Sequence, residues 1–136
     1  MTPSIRQLKA HIGESVTLRG WVQAKRSSGK IHFVQIRDGS GVVQSVASKN
    51  DVSEAAWAEL ERATQESTIT ATGVVREDKR SPSGVELGLT DFKVDHLTLD
   101  FPISPKEHGT AFLMENRHLW IRSSRQRAAL RIRSEV

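Results

Sequence analysis

VTLRGWVQAKRSSGKIHFVQIRDGSGVVQSVA, residues 16–47, alternates apolar and polar side chains through three segments parted by glycine-containing turns. In the first segment, which starts at Glu14, Val16, Leu18, Val22 and Ala24 fall on one face of a strand. Thr17, Arg19, Trp21, Gln23 and Lys25 fall on the other. Gly20 sits mid-strand, where a barrel wall bends sharply. Ser27-Ser28-Gly29 predicts a turn and Lys30–Arg37 a second strand. Asp38-Gly39-Ser40-Gly41 reads as a hairpin turn rather than a phosphate-cradling loop, and Val42–Ala47 as a third strand.

The flanks complete the pattern. Ser4–Ile12 predicts a short helix capped by Ser4, with Ile5, Leu8 and Ile12 on its apolar side and Gly13 ending it. Asp51 followed by Glu54 predicts a capping box for a second helix, with Trp57, Leu60 and Thr64 along one face. Ser67–Val75 reads as a fourth strand, Lys79–Gly84 as a loop, and Val85–Leu97 as a fifth strand. Five short strands with one helix between the third and fourth predict an all-β, β-rich domain: a five-stranded OB-fold barrel with N-terminal and inter-strand helices, over residues 1–100.

From Phe101 the character changes. Pro102 and Pro105 remove donors and restrict their neighbours, so Phe101–Pro105 should hold no regular element, and 101–122 reads as a hinge. Ser123 or Ser124 then caps a helix whose apolar side uses Ala129, Ile132 and Val136. No Gly, Asn or Pro stops it, so 123–136 is expected to be the truncated start of a further domain.

Composition narrows the function classes. A chain of 136 residues with 37% apolar and 26% charged side chains is ordinary for a globular domain. The absence of cysteine excludes disulfides and thiolate metal sites. No membrane span or signal peptide is read in it, and the expected location is cytoplasmic. Charge is uneven: residues 1–50 carry 8 Lys/Arg against 2 Asp/Glu, residues 51–100 carry 5 against 11, and residues 101–136 carry 7 against 3. Either one side of the molecule attracts a polyanion, or its solvated surface is simply uneven.

The second strand holds the most informative residue. With Val34 and Ile36 inside the barrel, Ile31, Phe33, Gln35 and Arg37 point outward, beside Lys25, Arg26 and Lys30. An exposed ring among cations is how an OB barrel holds a single nucleic-acid strand, with a base on the ring and phosphates along the cations. The other reading turns Phe33 into the core beside Ile31 through twist or a bulge, and alternation leaves both open. Catalytic carboxylate pairs, nucleophile elbows and metal-ligand clusters are not read in the sequence. His108 and His118 stand without acidic or thiol neighbours, so neither a catalytic nor a metal site is expected.

The run from Gly20 to Gln44 has a Gly-Trp-Val opening, a basic stretch, a turn glycine, Phe33, an Arg-Asp turn and a closing Val-Gln. It resembles the anticodon-binding barrel shared by the class II aspartyl-, asparaginyl- and lysyl-tRNA synthetases. That likeness implies that Phe33 stacks on the middle anticodon base, a uridine, and that Gln44 reads this uridine through its amide. It implies that Arg26 meets loop bases or phosphates with Lys25 and Lys30 as electrostatic support, and that Glu86 on the fifth strand faces the anticodon. Alternation leaves Glu86 equally readable as a surface glutamate opposite Val85, Leu87 and Leu89. For Gln44, which shares a face with Val42 and Val46, the role rests on the likeness alone. Pro102–Gly109, Phe112-Leu113-Met114 and Arg117–Arg122 resemble the asparaginyl enzymes, as does Ala24, where aspartyl enzymes tend to carry a further basic residue. The helix from Ser124 resembles the first half of the class II dimer-interface motif. The implied partner is the tRNA anticodon stem-loop. No cofactor is implied for this chain, whereas ATP and Mg²⁺ are implied for a parent ligase, which would be a homodimer through its catalytic domain. An aspartyl enzyme and a free-standing OB-fold tRNA or single-strand-binding module are the competing readings.

Overall fold

A computed structural model describes residues 2–99, 102 and 109–135. Five strands, β1 (Ser15–Ser28), β2 (Ile31–Arg37), β3 (Val42–Ser48), β4 (Thr68–Glu77) and β5 (Val85–His96), close into a barrel in the order β1-β2-β3-β5-β4. All neighbours are antiparallel except β3 and β5, which pair in parallel. The helix α1 (Glu54–Arg62) lies between β3 and β4 in the chain, as the all-β OB-fold reading requires. Alternation drives closure: Val16, Leu18, Val34, Ile36, Val43, Ile69, Ala71, Leu87 and Leu89 are all buried.

Close backbone approach decides two glycine positions. A Cβ at Gly20 would fall on the Arg37 carbonyl oxygen, and one at Gly73 on that of Gly88. Gly20 therefore sits where the backbones of β1 and β2 come too close for a side chain.

Helix boundaries differ from expectation for local reasons. The N-terminal segment Ile5–His11 is a 3-10 helix, not an α-helix. Its three-residue period stacks Ile5 directly on Leu8 against the core, and leaves Ile12 47% exposed instead of on the apolar side. Ser4 holds the N-cap position, its N–H donating to Gln7 Oε1 at 3.0 Å. The cap of α1 is Ser53, whose Oγ accepts from the Ala56 N–H, because Asp51 is used in a turn whose N–H reaches the Ser48 carbonyl. Thr64 lies beyond α1, bonded instead to Ser67 and the Thr98 carbonyl.

β1 holds the main departure. Val22 pairs with Ile36, but the next partner pair is Ala24 with Gln35, so Gln23 is an extra residue on β1. After that bulge the faces exchange. Ala24 and Arg26 point outward opposite Gln35 and Phe33, while Lys25 opposes the buried Val34. Alternation alone had Ala24 inside and Lys25 outside. The Lys25 ammonium is directed to α1 and donates to the Leu60 and Glu61 carbonyls at 2.9 and 3.0 Å. These are unpaired acceptors at the negative end of the helix dipole. Beside it, His32 tilts against Trp57 with ring centroids 4.4 Å apart, its Nδ1 2.6 Å from Ser27 Oγ. Burial, reinforced by Lys25 and opposed by Glu61, pushes the His32 pKa down.

The chain divides into two compact units, Met1–Leu99 and Asp100–Val136. In the second, α2 (Thr110–Glu115) lies inside the stretch read as hinge, followed by a 3-10 turn, Trp120–Arg122, and α3 (Ser124–Glu135). The Arg127 N–H donates to the Ser123 carbonyl at the start of α3, and Ile132 is 68% exposed. The expectation for Phe101–Pro105 concerns residues outside the described set apart from Pro102, and Val136 also lies outside it. Among the described residues no helix is long and apolar enough to cross a membrane.

Gly20→Ala is expected to destabilise the barrel by about 1–3 kcal/mol, because backbone rather than a side chain must yield; an unchanged urea midpoint would contradict the close approach. Lys25→Met is expected to cost roughly 1–2 kcal/mol through the two freed carbonyls. A variant as stable as the parent in the same titration would show that this ammonium does not hold α1.

Candidate nucleic-acid interface

Two rows of side chains cross the outer wall of the barrel. Register places Ala24, Gln35, Gln44, Glu86 and Arg76 side by side on β1, β2, β3, β5 and β4. Arg26, Phe33, Val46 and Gly88 form the adjacent row. Phe33 thus stands outside, partly exposed, because its neighbour Val34 and then Ile36 fill the barrel interior, so its ring is not in the core; the bulge brings Arg26 opposite it. The Arg26 guanidinium lies 4.8 Å from the Phe33 ring centroid, a cation–π contact.

Ala24, Lys25, Arg26, Phe33, Gln35 and Gln44 line an open depression of about 190 Å³. A shallow, open shape with a ring for a wall suits a flat heteroaromatic group entering from solvent. Among the described residues the Gln44 amide makes no hydrogen bond to another side chain, which leaves a donor and an acceptor for a base edge. Gln44 shares its face with Val42 and Val46, and the buried Val43, Ser45 and Ala47 occupy the opposite one.

Glu86 points outward, between buried Val85 and Leu87. Its Oε1 accepts from Arg76 Nη2 at 2.9 Å. Burial raises its pKa above the usual carboxylate value; Arg76 pulls it down, and Asp78 pushes it further up. Arg76 lies flat over Gly88, where an added Cβ would stand 2.9 Å from its Nη2. Sequence reasoning missed Arg76. The available signal was Gly88, since a glycine within a strand marks close approach by another group.

Three cations read as outward differ in use. Arg37 sits on the outer side but is covered: it donates to Glu66 Oε1 and Oε2 at 2.8 and 2.6 Å and to Gln23 Oε1 at 2.6 Å, under the Trp21 ring. Its side chain is 5% exposed, so it is a structural ion rather than part of the surface. Lys25 contributes lining, while its charge is engaged by α1. Lys30 lies in the β1–β2 turn, exposed, and does not line the depression. Among the described residues no group of three or more His, Cys, Asp or Glu side chains is placed to hold a metal ion.

Residues 16–95 match the family model described as OB-fold nucleic acid binding domain. The asparagine–tRNA ligase of Herpetosiphon aurantiacus is 51% identical over 132 residues, which is 97% of this chain and 30% of that protein. The asparagine–tRNA ligase of a Roseiflexus species is 50% identical over 135 residues, 99% of this chain and 31% of that protein. This chain therefore spans under a third of the length of the curated relatives it matches. Among solved structures, the asparaginyl-tRNA synthetase of Pyrococcus horikoshii complexed with asparaginyl-adenylate superposes with a TM-score of 0.79 at 32% identity, covering 92% of this chain and 29% of that one. The Entamoeba histolytica asparaginyl-tRNA synthetase also gives 0.79, at 26% identity, over 99% of this chain and 32% of that one. With the barrel order, the outward ring and the matched span in agreement, the chain belongs to the OB-fold nucleic acid binding domain family that is named for the tRNA anticodon.

Proposed function

We propose that this chain reads the anticodon loop of tRNA on behalf of an asparagine–tRNA ligase. The observation that carries this reading is the outward Phe33 ring under the Arg26 guanidinium, with the Gln44 amide, which bonds no other side chain among the described residues, in the neighbouring row. A base stacked on such a ring is worth about 1–3 kcal/mol and leaves its edge free to be read. Gln44 supplies that reading for a central uridine, Arg26 adds charge beside the stacked base, and Glu86 accepts from an amino-bearing neighbour. Lys30 contributes to the field at the rim, and Lys25 holds the wall on which Arg26 stands. Stacking selects an unpaired strand, because paired bases hide their faces.

The asparagine specificity is supported by the 50–51% identity to asparagine–tRNA ligases across nearly the whole chain. In the parent enzyme, asparagine is activated with ATP and Mg²⁺ and transferred to tRNA in the cytoplasm, by a homodimer built through the catalytic domain. The present residues position the tRNA and perform no bond-making step.

Phe33→Ala is expected to weaken binding of an anticodon stem-loop roughly 5- to 150-fold in a filter-binding titration. Unchanged affinity would remove the stacking role. Against the unmodified protein, a loop with uridine at the third anticodon position is expected to bind more tightly than one with cytidine there. Equal binding, or preference for cytidine, would contradict the asparaginyl reading and favour an aspartyl one.

A further inference from the structure

The 3-10 helix at the N-terminus has a second consequence. Its three-residue period that stacks Ile5 on Leu8 also stacks Arg6 on Lys9, one turn and about 6 Å apart, on a solvent-facing side. The helix is pinned to the β2–β3 turn: the Ile5 N–H donates to Asp38 Oδ2 at 2.8 Å and the Arg6 N–H to Ser40 Oγ at 3.0 Å. Lys9 is laid across the β4–β5 loop, where a Cβ at Gly84 would stand 2.7 Å from its Cε. Between these parts runs an open groove of about 430 Å³, lined by Arg6, Lys9, Ser40, Val42, Pro82 and Ser83 among others.

This groove adjoins the Phe33 face. Val42, in its lining, and Gln44, in the lining of the Phe33 depression, are alternate residues on the outer side of β3, roughly 7 Å apart. Among the described residues no acidic side chain lines it. Both oxygens of the Asp38 carboxylate are engaged, Oδ1 accepting from the Ser40 and Gly41 N–H groups and Ser40 Oγ, and Oδ2 from the Ile5 N–H. Asp78 accepts from the Arg80 N–H, and Glu77 lines a neighbouring depression with Ile12, Lys79 and Gly84, to which Lys9 also contributes.

We propose that this groove is a second ribonucleotide subsite, in which Arg6 and Lys9 hold the sugar–phosphate backbone of the nucleotides that continue the strand seated at Phe33 and Gln44. The proposal rests on the single-strand reading of the Phe33 face. Val42 and Pro82 offer apolar contact to ribose or base faces, and the aligned cations meet successive phosphates. An acidic protein segment fits less well, since the groove adjoins the depression at Phe33 and Gln44, whose ring and amide suit a nucleobase.

The test compares two ligands on the 136-residue protein: a trinucleotide with uridine at its middle and third positions, and the complete anticodon stem-loop carrying it. Arg6→Gln/Lys9→Gln is expected to weaken stem-loop binding roughly 5- to 30-fold. The slope of log affinity against log salt should become shallower by about 1.4–1.8, near 0.7–0.9 for each phosphate no longer neutralised. Trinucleotide binding should be unchanged, and both side chains are exposed, so thermal unfolding should not move. A stem-loop slope equal to that of the parent, or equal weakening of both ligands, would overturn the subsite. Phe33→Ala measured alongside separates the two ideas: weakening of both ligands upholds the Phe33 reading whatever the double variant does, and no effect on either defeats it.

Discussion

A strand's side chains change sides wherever one residue enters without a partner across the ladder. In β1 that residue is Gln23. Before it, Val16, Leu18 and Val22 fill the core; after it, Ala24 and Arg26 face solvent while Lys25 turns to α1. Without the bulge, Arg26 would point inward beneath α1 and Phe33 would face solvent without a cation over its ring.

The bulge is held by a buried ion pair. Arg37 donates to Gln23 Oε1 and to both carboxylate oxygens of Glu66, and the Glu66 N–H bonds the Val22 carbonyl at 2.7 Å. Glu66 has φ 68°, a left-handed conformation uncommon outside glycine, so the surrounding bonds over-determine its place. Removing one partner of such a pair typically costs about 3–5 kcal/mol, because a charge is left buried alone. The same network ties Thr98, whose Oγ1 donates to the Glu66 carbonyl, to the region behind the bulge. One cluster therefore fixes both the face of β1 and the tail that follows β5.

Much of this was legible from alternation. Five strands, their turns and the need for a glycine at position 20 follow from a period of two and from glycine placement, which are local properties. The outward position of Glu86 follows the same way from Val85 and Leu87. What alternation does not encode is an inserted residue: a bulge preserves the apolar-polar rhythm on each side while inverting its meaning, so Ala24 and Lys25 were placed on each other's faces. Arg37 was misread as a surface cation because its partner Glu66 lies far away in sequence, beyond α1. The 3-10 winding of Ile5–His11 was hidden because Ile5 and Leu8 satisfy both helical periods, and only the exposure of Ile12 separates them. Gln44 needed the family likeness, since flanking valines make its face look buried until β5 is seen to pair in parallel beside it.

The central claim is that the Phe33 ring carries a base. Proton NMR of the protein with a trinucleotide bearing a central uridine addresses it directly. Stacking requires intermolecular NOEs between the Phe33 ring protons and the uracil H5 and H6, with upfield shifts of those base protons from the ring current. Perturbation confined to Arg26 and Lys30, with no NOE to the ring and no shift of the uracil protons, would mean that the face attracts phosphates only, and the account would be wrong.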